Sequence, residues 1–181
     1  MRIAVILGST RPGRRSEGVA QWVVNVANAR TDASFDLIDL KEVNLPLLDE
    51  PVPAIFGEYA HAHTREWASL IAPYDGFVFV APEYNHSFSA VLKNALDYLY
   101  AEWNDKAAGF VSLGGHGGLR AVEQLRLVLA ELKVATVRTQ VAFGRGDLQR
   151  EPQQQHEELN AMLDELVAWA SALRSVRAVA A

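Results

Sequence analysis

The run Gly76-Phe77-Val78-Phe79-Val80-Ala81 carries no polar side chain at any position, and Pro82 ends it. Successive side chains of a strand point to opposite faces, so such a run needs cover on both sides. Ile3–Leu7 has the same character and stops at Gly8. Phe35–Leu40, Ala107–Ser112 and Val134–Val141 read as three further strands. Between the strands, apolar residues recur three and four apart, which is helical spacing. Ser16–Ala29 shows it through Val19, Ala20, Val23 and Ala27; His61–Ile71 shows it with Trp67 and Leu70 inward. Ser89–Tyr100 and Gly118–Lys133 follow, the latter with Val122, Leu125 and Leu129 on one stripe. The last such segment runs from Pro152 to about Val176, with Leu159, Met162, Leu163, Leu166, Ala170 and Leu173 on one face. Ser16 and Ser89 are the expected N-caps, and Pro152 suits a first helical turn. The stretch Glu42–Phe56 holds Pro46, Pro51 and Pro53 and reads as an ordered surface loop.

Strands alternating with helices predict an α/β protein with a parallel sheet. The 181 residues, half of them apolar, suit one domain over residues 1–181, and no linker interrupts them. The net charge of −5 excludes a disordered polyelectrolyte and leaves no basic face for nucleic acid. With no cysteine, disulfides, thiolate metal sites and cysteine nucleophiles are all excluded. No apolar run reaches the roughly 20 residues that span a bilayer, and no signal segment is evident. The expected location is the cytoplasm, with no membrane partner.

Parallel sheets bind ligands beyond the carboxyl ends of their strands, beside the point where strand order reverses. The loops after the first, third and fourth strands are therefore the places to search. Gly8-Ser9-Thr10-Arg11-Pro12-Gly13-Arg14-Arg15-Ser16 sets three hydroxyls and three arginines before a helix, a pattern suited to an anion. Its glycine spacing opens like a P-loop, but Arg14 and Arg15 replace the lysine and hydroxyl that would hold a magnesium nucleotide. Ala81-Pro82-Glu83-Tyr84-Asn85-His86-Ser87-Phe88-Ser89 mixes flat surfaces with polar edges, as a planar heterocycle requires. Ser112-Leu113-Gly114-Gly115-His116-Gly117-Gly118 removes Cβ atoms where a ligand could meet backbone amides. Each loop taken singly also reads as a plain turn; together they describe a pocket with one anionic end and one flat end.

Gly8-Ser9-Thr10-Arg11…Ser16, Pro82-Glu83-Tyr84-Asn85…Leu92-Lys93-Asn94-Ala95-Leu96-Asp97 and Ser112–Gly118 resemble the NADPH-dependent FMN reductase family, with a match from Arg2 to about Val141. The resemblance implies a three-layer flavodoxin-like fold, a five-stranded parallel sheet in the order 2-1-3-4-5 with helices on both faces. It implies FMN as cofactor and NADPH or NADH as co-substrate, and it covers flavin, quinone, azo-dye and chromate reductases. It also implies that Ser9, Arg11 and Ser16 hold the FMN phosphate, that Pro82, Glu83, Tyr84 and Asn85 line the ring and ribityl chain, and that Ser112, Gly115 and Gly118 approach the other side. His86 stands where the family has a small or aromatic residue, and Ser89 where proline is common. Family members are commonly homodimers or homotetramers built on the helix after the second loop. Here that helix carries Val91, Leu92, Ala95, Leu96, Tyr98, Leu99, Tyr100 and Trp103, an arc wider than one sheet face needs.

The expected activity is hydride transfer from NADPH through bound FMN to a small acceptor. No side chain is a certain catalytic residue; Tyr84, His86 and His116 are the candidates for supplying a proton. Arg14, Arg15 and Arg120 are candidates for pairing with the donor's phosphate. The rival reading is a flavodoxin-like single-electron carrier serving a protein partner, which three arginines beside the site disfavour. A phosphate-binding regulator without flavin leaves the second loop unexplained. No metal is expected: zinc on His86, His116 and Glu83 is the lesser reading, and His61 and His63, two apart on a helix, should face apart. Lys93, Asn94 and Asp97 are expected at an interface or behind the site.

Overall fold

In the computed structural model, which describes residues 1–147 and 153–180, β1 (Arg2–Leu7), β2 (Ser34–Asp39), β3 (Gly76–Pro82), β4 (Lys106–Leu113) and β5 (Val134–Phe143) form one sheet. All neighbouring strands pair in parallel, in the order β2-β1-β3-β4-β5. The connections carry α1 (Ser16–Ala27), α2 (Leu40–Val43), α3 (Ala62–Ile71), α4 (Ala90–Asp97), α5 (Leu119–Glu131) and α6 (Gln153–Ala180). Strand alternation divides the interior into two cores. Ala4, Ile6, Phe77, Phe79 and Phe110 pack under α3, α4 and α5, while Ile3, Val5, Leu7, Val78 and Val80 pack under α1 and α6. The parallel α/β sheet is the one the sequence pattern predicts, and its strand order is the flavodoxin-like one that the family resemblance implies.

The departures are local. Leu70 is 41% exposed, because Thr64, Trp67, Ala68 and Ile71 already fill the inward stripe of α3 and Leu70 lies about 100° round the helix from Ile71. Ser16 does not cap α1: the cap position is Arg15, which makes no side-chain bond, and Ser16 is the first helical residue. Ser89 does cap α4, accepting from Leu92 N–H at 3.3 Å, and its hydroxyl donates to the Gly8 carbonyl. The loop after β2 is more regular than its prolines suggest, containing α2 and a 3-10 turn at Ala54–Phe56. His61 precedes α3 in extended conformation, so the His61 and His63 rings stack at 5.2 Å instead of facing apart. Both rings reach Asp49. The wide apolar arc after Ser89 is consumed within the chain: Leu92, Ala95, Leu96, Tyr98, Leu99 and Trp103 are all buried, with Trp103 edge-on to Phe77 at 4.9 Å. Pro152 lies outside the described residues.

The β4–β5 ladder breaks once. Between Ala108 and Phe110 β4 advances two residues, while β5 advances four from Thr136 to Gln140. The backbone groups freed by this bulge are met from both faces of the sheet. Arg126 of α5 lies over the Phe110 ring at 4.5 Å and donates to the carbonyl of Val137 at 2.7 Å. Glu165 of α6 accepts from Thr139 N–H at 3.1 Å and from the Thr139 hydroxyl. These two bonds hold the Glu165 carboxyl below its ordinary range. A carboxylate depressed in the folded state contributes stability above its unfolded value near 4.5 and loses it as the pH falls further. Glu165→Ala is therefore expected to cost about 1–2 kcal/mol at pH 7 and less below pH 4, measured as the difference in urea midpoint between variant and parent.

Candidate functional site

The carboxyl ends of β1, β3, β4 and β5 enclose a cleft of about 270 Å³. Its first wall is the β1–α1 loop, which supplies Ser9, Arg11, Arg14, Arg15 and Ser16. The turn is tight because a Cβ on Gly8 would meet Leu92 and the Val80 carbonyl at 3.2 Å. Arg14 is not a free cation. Its buried guanidinium grips Asp39 at the end of β2 with both terminal nitrogens and donates to the Ser9 carbonyl. Arg11 and Arg15 are exposed and have no carboxylate partner among the described residues. Ser9 is buried, and its hydroxyl is 2.8 Å from that of Tyr84. Ser16 Oγ is buried without any partner.

The second wall is the β3–α4 loop. Tyr84 N–H donates to Ser87 carbonyl at 2.8 Å and Ser87 N–H returns the bond at 3.1 Å, closing a two-residue hairpin. Its central residues are Asn85, with φ of 50°, and His86, with φ of 72°. Two left-handed residues in succession define a type I′ turn, for which the second is usually glycine. Gln124 braces the tip by donating to the His86 carbonyl at 2.6 Å. Pro82, Glu83 and Tyr84 line the cleft, whereas Asn85 and His86 stand exposed at the tip.

The third wall is the glycine loop after β4. Most of its glycines answer to its own packing. A Cβ on Gly114 would fall 2.8 Å from Gly118 N, and one on Gly118 2.8 Å from Leu113 N. Gly114 and Gly115 both line the cleft, and of the two Gly115 has nothing within 4 Å of a Cβ. Ser112 and Gly118 lie beneath the loop and off the cleft wall, because the Ser112 hydroxyl is turned inward and donates to Gly117 carbonyl at 2.6 Å. His116 is exposed. A fourth wall, Phe143, Gly144 and Arg145 after β5, escaped the sequence reading. The signal was present in Gly144-Arg145-Gly146-Asp147, another glycine and arginine turn directly after a strand.

Arg120, in the first turn of α5, joins these parts. It pairs with Glu83, donates to His86 Nε2 at 2.7 Å and lies 3.5 Å from His116 Nδ1. Burial pushes the Glu83 carboxyl up, but Arg120 and the first N–H groups of α5 outweigh it and leave the group below its ordinary range. Arg14 and Arg120 thus both have partners, and of the three arginines expected to meet a donor phosphate only Arg15 stands open. No cluster of three metal-ligating side chains occurs among the described residues. Behind the site, Asn94 docks the loop after α2, accepting from Leu48 N–H at 2.9 Å and donating to Pro46 carbonyl at 2.7 Å. Lys93 and Asp97 pair with each other along α4 at 2.6 Å.

A parallel sheet with an anion cradle, a flat wall and a glycine loop at its switch point defines a flavodoxin-like flavoprotein. The family model for NADPH-dependent FMN reductase matches residues 1–147, and the chain belongs to that family. It is 43% identical over 144 residues to an NAD(P)H-dependent FMN reductase of Schizosaccharomyces pombe, covering 78% of this chain and 72% of that one. It is 34% identical over 141 residues to a 2-hydroxy-1,4-benzoquinone reductase of a Burkholderia species, covering 74% and 73%. Among solved structures, the NAD(P)H:(acceptor) oxidoreductase FerB of Paracoccus denitrificans superposes with a TM-score of 0.74 at 20% identity, covering 94% of this chain and 97% of that one. The protein is an FMN-dependent NAD(P)H oxidoreductase.

The residues present fit FMN. The uncapped first turn of α1 and the unpartnered Ser16 hydroxyl are donors that a phosphate dianion would satisfy, with Arg11 beside them. Without ligand, a buried hydroxyl lacking a partner is a liability. Ser16→Ala should therefore leave the FMN-free chain as stable or up to about 1 kcal/mol more stable, yet weaken FMN binding about tenfold. Thermal melts without FMN and fluorescence titration with it check the two halves separately.

Proposed function

We propose that this oxidoreductase delivers its electrons to a small planar acceptor, a quinone foremost. The observation that carries this reading is that Pro82, Tyr84, Gly115 and Phe143 line one cleft, with open space where a side chain on Gly115 would stand. The likeness to a benzoquinone reductase supports it. Bound FMN would supply the hydride and electron chemistry between NAD(P)H and the acceptor, while the chain binds and orients. In this reading Ser9, Arg11 and Ser16 hold the phosphate, and Pro82, Glu83, Tyr84 and Asn85 flank the ring and ribityl chain. Gly115 admits the ligand, while Ser112 and Gly118 keep the glycine loop in shape from below. Tyr84, His86 and His116 are the side chains available to hand a proton to a reduced acceptor, with water as their competitor.

Purified protein should carry a flavin absorption band, and that band should bleach on anaerobic titration with NADPH. With benzoquinone added, NADPH should be consumed steadily. A colourless chain that ignores added FMN overturns the cofactor assignment; bleaching without turnover favours the single-electron carrier.

The same proposal takes the whole of residues 1–181 as one working unit in the cytoplasm, assembled as a homodimer or homotetramer. Support for assembly has moved from α4 to the loop before α3. Leu47 (84% exposed), Phe56 (67%) and Ile55 (58%) face solvent there on a backbone held by Asn94, Tyr98 and Glu50. A rigid apolar patch of this kind suits a second copy of the chain. Light scattering should give a multiple of 19.9 kDa, and Leu47→Ser with Phe56→Ser should reduce it to the monomer; a monomeric parent removes the assembly from the proposal.

A further inference from the structure

Among the described residues, Glu83 is the one carboxylate lining the cleft. Its side chain is 5% exposed; one oxygen meets Arg120 and the other, Oε2, has no partner among the described residues. A carboxylate so far out of water acts strongly on neighbouring charge, because little solvent screens it. Arg120 is bonded to more than Glu83. Its Nη1 donates to His86 Nε2 at 2.7 Å, and its Nη2 lies 3.5 Å from His116 Nδ1. A guanidinium has donors only and keeps its proton, so the ring nitrogen that faces it must offer a lone pair. Arg120 is the cation that balances Glu83. Among the described residues, the other titratable groups of the cleft are Tyr84, Arg11, Arg15 and Arg145; Arg14 is bound to Asp39.

We propose that Arg120 is a positioning residue that sets the charge balance beside the cleft, cancelling Glu83 and tying the hairpin after β3 to the glycine loop after β4 through His86 and His116. The inference rests on reading the cleft as the FMN site. Its consequence is electrostatic: an uncancelled carboxylate beside a ring that gains electrons opposes reduction, and an uncancelled guanidinium favours it.

The test is the midpoint potential of bound FMN, measured by equilibrium with a reference dye in the parent and four variants. Arg120→Gln should make the flavin harder to reduce, by about tenfold in the reduced-to-oxidised ratio, which is about 30 mV for a two-electron couple. Glu83→Gln should shift the potential the opposite way. The double variant should return near the parent value, and Arg120→Lys should keep most of it. The effect of Arg120→Gln should shrink as the pH is lowered, because burial then lets the unpaired Glu83 take up a proton. A purely structural strut gives no such opposition of sign. Single variants that move the potential in the same direction, or a double variant that adds their effects, overturn the proposal. If Arg120→Gln does not fold, an unchanged potential in Glu83→Gln overturns it equally. A parent chain that binds no FMN counts against the cofactor site itself and is seen before any variant is made.

Discussion

Three neighbouring strands, β1, β3 and β4, have no face turned to water, and nearly everything else follows from that. Their backbone polar groups are paired along the sheet, and apolar side chains from both faces must be covered by helices. Arg2 and Lys106 show how little charge the strands admit: Arg2 is exposed at the sheet's starting edge, and Lys106 is buried only because its ammonium reaches the carbonyls of Ile71 and Ala72 at the end of α3. Polar chemistry has no place within such strands, so it gathers in the loops that leave them. Parallel pairing then brings the loops after β1, β3, β4 and β5 to a single edge.

At that edge the arginines divide by their partners. Arg14 is structural: its grip on Asp39 fastens the β1–α1 loop to the end of β2, and Asp39 in turn caps α2 through Lys41 N–H at 2.9 Å. Arg120 is tied to Glu83 and the two histidines. Arg11, Arg15 and Arg145 remain to face an incoming anion. A chain with a net charge of −5 thus presents a locally positive cleft. Formal charge alone says nothing of this, since it counts a buried, paired guanidinium and an exposed one alike.

Those pairings also mark the limit of what the residues disclose before folding. Strand and helix periods are written locally, so the five strands, their helices and the three loops at their carboxyl ends were legible. The motif resemblance added strand order and cofactor. Leu70 was misplaced because one helical stripe offers more apolar residues than the core accepts. Ser16 looks like a cap by type and position, and only the backbone shows it one residue further on, with its hydroxyl left over. Ser112 resembles a ligand-facing hydroxyl, yet it donates its hydrogen bond to the Gly117 carbonyl of the turn above it. Arg14 with Asp39 and Arg120 with Glu83 join positions 25 and 37 residues apart, and no local pattern announces either. The fourth wall follows β5, an edge strand away from the point where strand order reverses, although its glycine and arginine turn matches the first loop in kind.

The bulge in β5 inserts an even number of residues, and the parity matters. Side chains alternate, so a pair can be taken up while Val137 and Val141 stay in the same core and Phe143 still arrives on the cleft. Losing one residue between Thr136 and Gln140 would turn every later side chain of the strand over, sending Phe143 to the opposite layer and carrying Gly144 and Arg145 off the site. Losing two would keep the faces and merely shorten the strand. Length variation at this point of the chain is therefore tolerable only in steps of two.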